Sequence, residues 1–138
     1  MVNKIVTVLL IFCVLCISWT KTPIFKGAEG VYTVAIEDKG SASKMVSFST
    51  AEKDRFYLIN KSYGQSLFTL DREYIDNFLA EYDCTFLFSE NYLNGVTNYY
   101  YTPKIWGYRS INGKKVNVQT AIGDYGYAIG TPIIYGGF

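Results

Sequence analysis

The sequence contains no histidine, only three cysteines and three prolines in 138 residues, and no excess of charge of either sign. The absence of histidine excludes a Ser-His-Asp triad, a Cys-His nucleophile pair and a histidine-ligated metal site. Thirteen basic residues stand against twelve acidic ones, so the chain has no overall attraction to nucleic acids or anionic membranes. Hydrophobic residues make up 49% of the chain, which is typical of a globular domain.

The cysteines do not form a disulfide framework. Cys13 and Cys16 lie inside an apolar N-terminal segment, where we interpret them as small hydrophobic residues. Cys84 is then alone in the rest of the chain, so the domain must depend on its core. Because Cys84 begins the apolar run that ends at Phe88, we expect a buried and unreactive thiol. A reactive thiol and an intermolecular disulfide are the alternatives.

The N-terminus has the pattern of an export signal. Lys4 is followed by an uncharged apolar run from Ile5 to Ile17, which is shorter than the roughly 20 residues that a membrane-spanning helix needs. A basic residue before such a run predicts a secretory signal peptide over residues 1–20, or an uncleaved signal anchor. The protein is therefore predicted to be secreted, or anchored on the outer side of the cytoplasmic membrane through residues 5–19. A buried N-terminal helix of a cytosolic protein is the alternative interpretation.

Residues 21–30 are predicted to be a linker, and residues 31–138 a single domain. Val31 to Ile36 alternates between apolar and polar residues and predicts a hairpin with Lys44 to Ser49. Thr50 to Gly64 is ambiguous, because a capping box favours a helix and an apolar run suits a buried strand.

The clearest helix spans Asp71 to Tyr82. Asp71 is a suitable N-cap, and an apolar stripe at helical spacing runs along one side. The members of this stripe are Ile75, Phe78, Leu79 and Tyr82. A helix that is apolar on one side needs a partner layer, so a sheet is expected to cover it.

The remainder of the chain predicts a series of antiparallel strands. They are Cys84–Phe88, Val96–Thr102, Ile105–Ile111, Lys114–Ile122 and Tyr127–Tyr135. Asn112-Gly113 predicts a tight hairpin, and Gly123 to Gly126 predicts another turn. In the fourth strand, Val116, Val118, Thr120 and Ile122 should share one face, and Lys115, Asn117 and Gln119 the other. The apolar last strand is expected either in the centre of the sheet or at an edge open to a partner.

The predicted fold class is α+β, with a curved antiparallel β-sheet and one or two helices packed on one face. Three segments add a family resemblance: GVTNYYYTPKIWG from Gly95, NGKKVNVQTAI from Asn112 and IGTPIIYGGF from Ile129. They resemble the YwmB family of exported Firmicutes proteins, best over residues 95–138. The resemblance implies half of a fold like that of the TATA-box-binding protein, and it implies no catalytic residue. Family members tend to be longer and to contain two related α+β motifs, whereas this chain has room for one.

Aromatic residues give the candidate binding site. Alternation along the strand places Tyr99 and Tyr101 on one side and Tyr100 on the other, and Trp106 and Tyr108 should share a face of the next strand. Exposed tyrosine and tryptophan side chains are typical of surfaces that contact proteins or sugars. The alternative is that one face is core and the other is ordinary sheet surface.

The sequence therefore favours a non-enzymatic domain that binds a protein or another cell-envelope component. We predict no catalytic residue, no metal site and no cofactor, because no cluster of titratable residues stands out. Nucleic acid is not an expected partner, since the only basic residues near the aromatic ones are Lys104, Arg109, Lys114 and Lys115. The alternative is a small extracytoplasmic hydrolase that uses carboxylate or Ser/Lys chemistry.

Replacement of Tyr100 and of Tyr108 by serine is expected to cost little stability if both side chains lie on a binding face. Side chains that are exposed to solvent contribute little to folding, so each variant should melt close to the parent protein. Thermal melting followed by circular dichroism measures this. A large fall in Tm for both variants would place both side chains in the core.

Overall fold

The computed structural model describes residues 3–9, 23–36, 44–52 and 62–136, and it has the predicted α+β fold. Residues 3–9 are helical (α1), and the second helix is α2 (Arg72–Glu81). The strands are β1 (Val31–Ala35), β2 (Met45–Ser49), β3 (Gly64–Thr69), β4 (Thr85–Tyr92), β5 (Gly95–Tyr101), β6 (Arg109–Ile111), β7 (Lys114–Val116), β8 (Val118–Gly123) and β9 (Gly126–Thr131). In the described ranges no helix has the length and apolar character to cross a bilayer.

Seven strands form one antiparallel sheet in the order β2-β1-β3-β9-β8-β5-β4. The β1–β2 hairpin confirms the first predicted strand pair, with Val31 opposite Ser49. Strands β6 and β7 form a separate two-stranded sheet joined by Asn112-Gly113. Both turn residues have positive φ, at 51° and 72°, which explains why this asparagine-glycine pair suits the turn.

Helix α2 confirms the predicted helix and its cap. The Asp71 carboxylate accepts a hydrogen bond from the backbone N–H of Tyr74 at 3.1 Å. Ile75 and Phe78 are buried, and the other two members of the apolar stripe are half-buried. Of the ambiguous segment, residues 50–52 form a 3₁₀ turn, and residues 53–61 lie outside the described ranges.

The core lies between α2 and one face of the sheet. Val34, Leu67 and Ile129 are fully buried there, and Leu67 and Ile129 are direct cross-strand partners at the centre of the sheet. Leu and Ile side chains of this size each contribute about 1.5–3 kcal/mol when they are removed from water. The central strand pair β3–β9 therefore anchors the helix to the sheet.

The segment predicted as a linker is part of the domain wherever it is described. Phe25 is 4% exposed and its ring lies 5.1 Å from that of Phe78 on α2. The backbone N–H of Ile24 donates to the side chain of Gln65 at 3.0 Å. The domain therefore includes residues 23–30 and does not begin at residue 31. A single aromatic residue in a polar stretch gave no periodic signal from which this packing could be predicted.

The face of the sheet opposite α2, here called the second face, is crossed by the end of the chain. The predicted last strand ends at Thr131 because Pro132 has no N–H to donate to the sheet. Residues 133–136 then turn back over β9 and β3. The backbone N–H of Tyr135 donates to Ser66 Oγ at 2.6 Å, and that of Ile134 donates to Gln119 Oε1 at 2.8 Å.

Glycine is required where the chain end crosses the second face. A Cβ atom at Gly130 would lie 2.2 Å from the carbonyl oxygen of Ile133, a distance that no side chain tolerates. Strand β9 itself is paired on both sides, by β3 and by β8. The apolar last strand is therefore central, and it has no open edge for a partner strand.

Asn117 divides the strand that the sequence predicts over Lys114 to Ile122. Its side chain is fully buried, although the pattern placed it on a polar face. Its Nδ2 donates to the carbonyl oxygens of Thr102 at 2.7 Å and of Ile105 at 3.0 Å, and its Oδ1 accepts from the N–H of Thr102 at 2.9 Å. These bonds hold residues 102–108 as a loop, so the predicted strand Ile105–Ile111 is reduced to β6.

Asn117→Ala is expected to lower the free energy of unfolding by about 3 kcal/mol, because it leaves three backbone groups of the 102–105 segment without their partner. Urea unfolding followed by circular dichroism measures the change. Asn91→Ala is the matched control at an exposed position of β4, and it should change stability by less than about 0.5 kcal/mol. Equal effects of the two substitutions would show that the buried bonds do not stabilise the loop.

Candidate binding surface

The structure separates the five predicted aromatic residues instead of bringing them onto one surface. Tyr100 lies on the face that packs against α2, and Tyr99 and Tyr101 lie on the second face, as the alternation predicted. Trp106 and Tyr108 belong to the loop that follows β5 and not to a strand. They therefore do not share a strand face, because Asn117 holds this segment away from the sheet.

Tyr99 is a packed residue of the second face. It is 6% exposed, and its ring stacks on that of Phe88 with centroids 4.4 Å apart. Its hydroxyl donates to Glu90 Oε2 at 3.1 Å. Burial, together with this hydrogen bond to a carboxylate, raises the pKa of Tyr99 well above its ordinary value. Tyr99 therefore contributes to the fold and offers little surface to a partner.

Tyr100 packs against the core beneath α2. Its ring contacts Phe86 in an edge arrangement with centroids 5.8 Å apart, and Val118 is its cross-strand partner. Burial raises the pKa of Tyr100. Tyr100 therefore does not lie on a binding face as predicted, and its replacement by serine removes core packing and should lower stability. Tyr101 is half-buried beside Thr85 at the same end of the sheet.

The two most exposed of the predicted site residues lie in the chain segment 103–116, here called the Trp106 lobe. Trp106 is 99% exposed and Tyr108 is 53% exposed. The Lys115 Nζ lies 4.8 Å from the centre of the Tyr108 ring, where the negative face of the ring attracts a cation. Full exposure is unusual for tryptophan, because its side chain has a large apolar surface.

The charge of the Trp106 lobe has one sign. It contains four basic residues and no acidic one: Lys104, Arg109, Lys114 and Lys115. Two of the four have partners outside the lobe, because Lys104 pairs with Asp83 at 2.6 Å and Arg109 donates to the Tyr135 hydroxyl at 3.1 Å. Lys114 and Lys115 are exposed on β7.

A groove of about 460 Å³ separates the Trp106 lobe from the sheet. Trp106, Tyr108 and Arg109 line it from the lobe, and Ile24 and Tyr63 line it from the body of the domain. Ile24 and Tyr63 could not be predicted from the sequence as part of this site, because they are far from the lobe along the chain. The place of Lys115 in the β6–β7 hairpin can be inferred from the sequence, because a two-residue turn at Asn112-Gly113 sets Ser110 opposite Lys115.

Cys84 has the environment expected of an inert thiol. It is half-buried and packs against the core, and its backbone N–H donates to the carbonyl oxygen of Leu79 at 3.0 Å. Burial raises the pKa of the thiol to about 11, with a smaller contribution from Asp83. Across the described part of the chain, no three cysteine, aspartate or glutamate side chains come together in a group that could hold a metal ion.

Comparison of the chain with known protein families, curated proteins and solved structures finds no match. The resemblance to the YwmB family therefore stays a prediction.

Alkylation of Cys84 by iodoacetamide should be slow in the folded protein at pH 8 and should accelerate as the pH approaches about 11. The reason is that the thiolate is the reactive form, and burial delays its formation to higher pH. The measurement uses the variant Cys13→Ser/Cys16→Ser, so that Cys84 is the only thiol, with the urea-unfolded variant as control. Equal rates in the folded and unfolded states at pH 8 would contradict the inert thiol.

Proposed function

We propose that this protein is an exported, non-enzymatic domain of the bacterial cell envelope that binds an envelope component through the Trp106 lobe. The observation that carries the proposal is the 99% exposure of Trp106 beside Tyr108 and Lys115. Tryptophan and tyrosine dominate the affinity of binding surfaces, because each removes a large apolar area from water while its polar group stays bonded. A partner that covers the lobe gains this burial.

The attachment of the lobe supports a binding role. Asn117 fixes the chain where it enters the lobe, through two hydrogen bonds to Thr102 and one to Ile105. Arg109 joins the β6 strand of the lobe to Tyr135 near the end of the chain. A surface that is already held in place loses little conformational entropy when a partner binds. The backbone that carries Trp106 is therefore held in place before a partner binds.

The N-terminal sequence supports a location in the envelope. Lys4 and the apolar run from Ile5 to Ile17 have the pattern of a secretory signal or signal anchor. The YwmB-like segments point the same way, since that family consists of exported proteins. The domain would then face the outer side of the cytoplasmic membrane, with the envelope as the source of its partner.

Site-specific photo-crosslinking in bacterial cells tests the proposal. The substitution Trp106→p-benzoylphenylalanine is expected to give covalent adducts with an envelope component, about tenfold above those from Tyr125→p-benzoylphenylalanine. Tyr125 is the control because it is also exposed, at the β8–β9 turn on the opposite end of the sheet. Adducts are resolved by mass spectrometry, which separates protein from lipid adducts. Equal or absent labelling at position 106 would refute the proposal.

A further inference from the structure

We infer that the Trp106 lobe docks on an anionic lipid surface, so that the membrane is the envelope component it binds. This inference rests on the proposed function and names its partner. It places a second membrane contact beside the predicted N-terminal one. Three observations carry it: where the chain enters the domain, which end of the sheet carries which charge, and the chemistry of the exposed side chains.

The chain enters the domain at the end of the sheet that carries the lobe. Ile24 lines the same groove as Trp106 and Tyr108, and its N–H is bonded to Gln65 near the start of β3. The apolar run ends at Ile17, and the residues from Ser18 to Thr22 can span at most roughly 18 Å when fully extended. If that run lies in a bilayer, this end of the domain is held within a short distance of the headgroups.

The two ends of the sheet differ in charge although both expose apolar side chains. At the opposite end, Leu70, Leu93 and Tyr125 are exposed, in the connections after β3, β4 and β8. In the described part of the chain, the acidic residues beside them are Glu29, Asp71 and Asp124. The basic residue next to Asp71 is Arg72, whose charge is paired with that of Asp76 on α2. An anionic surface repels that end and attracts the lobe, because the lobe carries basic residues alone.

Acidic residues close to the lobe do not cancel its charge. Asp83 follows the end of α2, and its carboxylate forms an ion pair with Lys104 at 2.6 Å. Glu81 is the last residue of α2, two positions before Asp83, and its backbone carbonyl oxygen accepts a hydrogen bond from the same lysine. Lys114 and Lys115 are exposed on β7, and in the described part of the chain neither forms an ion pair with these acids.

The side chains of the lobe match the boundary between water and hydrocarbon. Tryptophan and tyrosine are enriched at this depth of membrane proteins, since an apolar ring and a polar group fit the two sides of the interface. Lysine beside them reaches toward lipid phosphates while its stem stays with the rings. The contact of the Lys115 Nζ with the Tyr108 ring already combines both features in one pair.

Tryptophan fluorescence of the full chain in lipid vesicles tests the inference. The chain has two tryptophans, so Trp19→Phe leaves Trp106 as the only one. In vesicles that contain phosphatidylglycerol with brominated acyl chains, emission from Trp106 is expected to shift to shorter wavelength and to be quenched. In vesicles of phosphatidylcholine with the same bromination, the quenching should be weaker, because only the anionic headgroup attracts the lysines.

Two further variants make the result specific. Trp19→Phe/Trp106→Phe/Tyr125→Trp moves the only tryptophan to the opposite end of the sheet, and its emission should stay unquenched. Adding Lys114→Gln and Lys115→Gln to the Trp19→Phe chain should lower the ratio of docked to undocked protein in phosphatidylglycerol by roughly 25-fold, at about fivefold for each lysine. Both lysines are exposed, and thermal melting verifies that the variant folds.

Three outcomes overturn the inference: no quenching of Trp106 in phosphatidylglycerol, equal quenching in both lipids, or equal quenching at positions 106 and 125. The crosslinking experiment distinguishes failure of the lipid inference from failure of the proposed function. A protein adduct at position 106 without quenching leaves the binding role in place and replaces the lipid by a protein. Absence of both signals refutes the two proposals together.

Discussion

The rest of the structure depends on one constraint, which is that the sheet has two faces to cover and helix α2 covers one of them. Helix α2 covers a single face through Ile75 and Phe78, and the buried pair Leu67 and Ile129 anchors it. The second face is crossed by the end of the chain, which leaves β9 at Pro132 and bonds back to Ser66. This crossing needs small residues beneath it, and Gly130 supplies one, because any Cβ there would collide with the crossing backbone.

Asn117 solves a second problem, which is how an irregular loop can leave a buried strand without orphaned backbone groups. Its amide satisfies the buried N–H and C=O of Thr102 and the half-buried C=O of Ile105. Buried polar groups are tolerated when each has a partner, so one side chain permits the chain to depart from the sheet at this point. The exposure of Trp106 is a consequence of this departure and not of a local preference of the tryptophan for water.

The nearly neutral composition conceals an uneven distribution of charge. The chain has thirteen basic and twelve acidic residues, yet the Trp106 lobe has basic residues alone and the opposite end of the sheet presents Asp71 and Asp124. The overall balance argues against nonspecific attraction to polyanions, and it says nothing about a local surface. What matters for binding is which charges the fold places beside the exposed rings. In the lobe, Lys115 lies over Tyr108.

The sequence by itself determined the elements whose cause is local. Asp71 and the stripe at Ile75 and Phe78 define α2, Asn112-Gly113 defines a hairpin, and alternation separates Tyr99 from Tyr100, because caps, turns and side-chain periodicity act over a few residues. Only the tertiary structure decided that Phe25 belongs to the core, that Asn117 divides a strand and that Trp106 is exposed to solvent. Each of these results from contacts between residues distant in sequence, whose partners no local pattern reveals. Of the predicted aromatic site, the sequence therefore supplied the residues, and the long-range packing decided which of them a partner can reach.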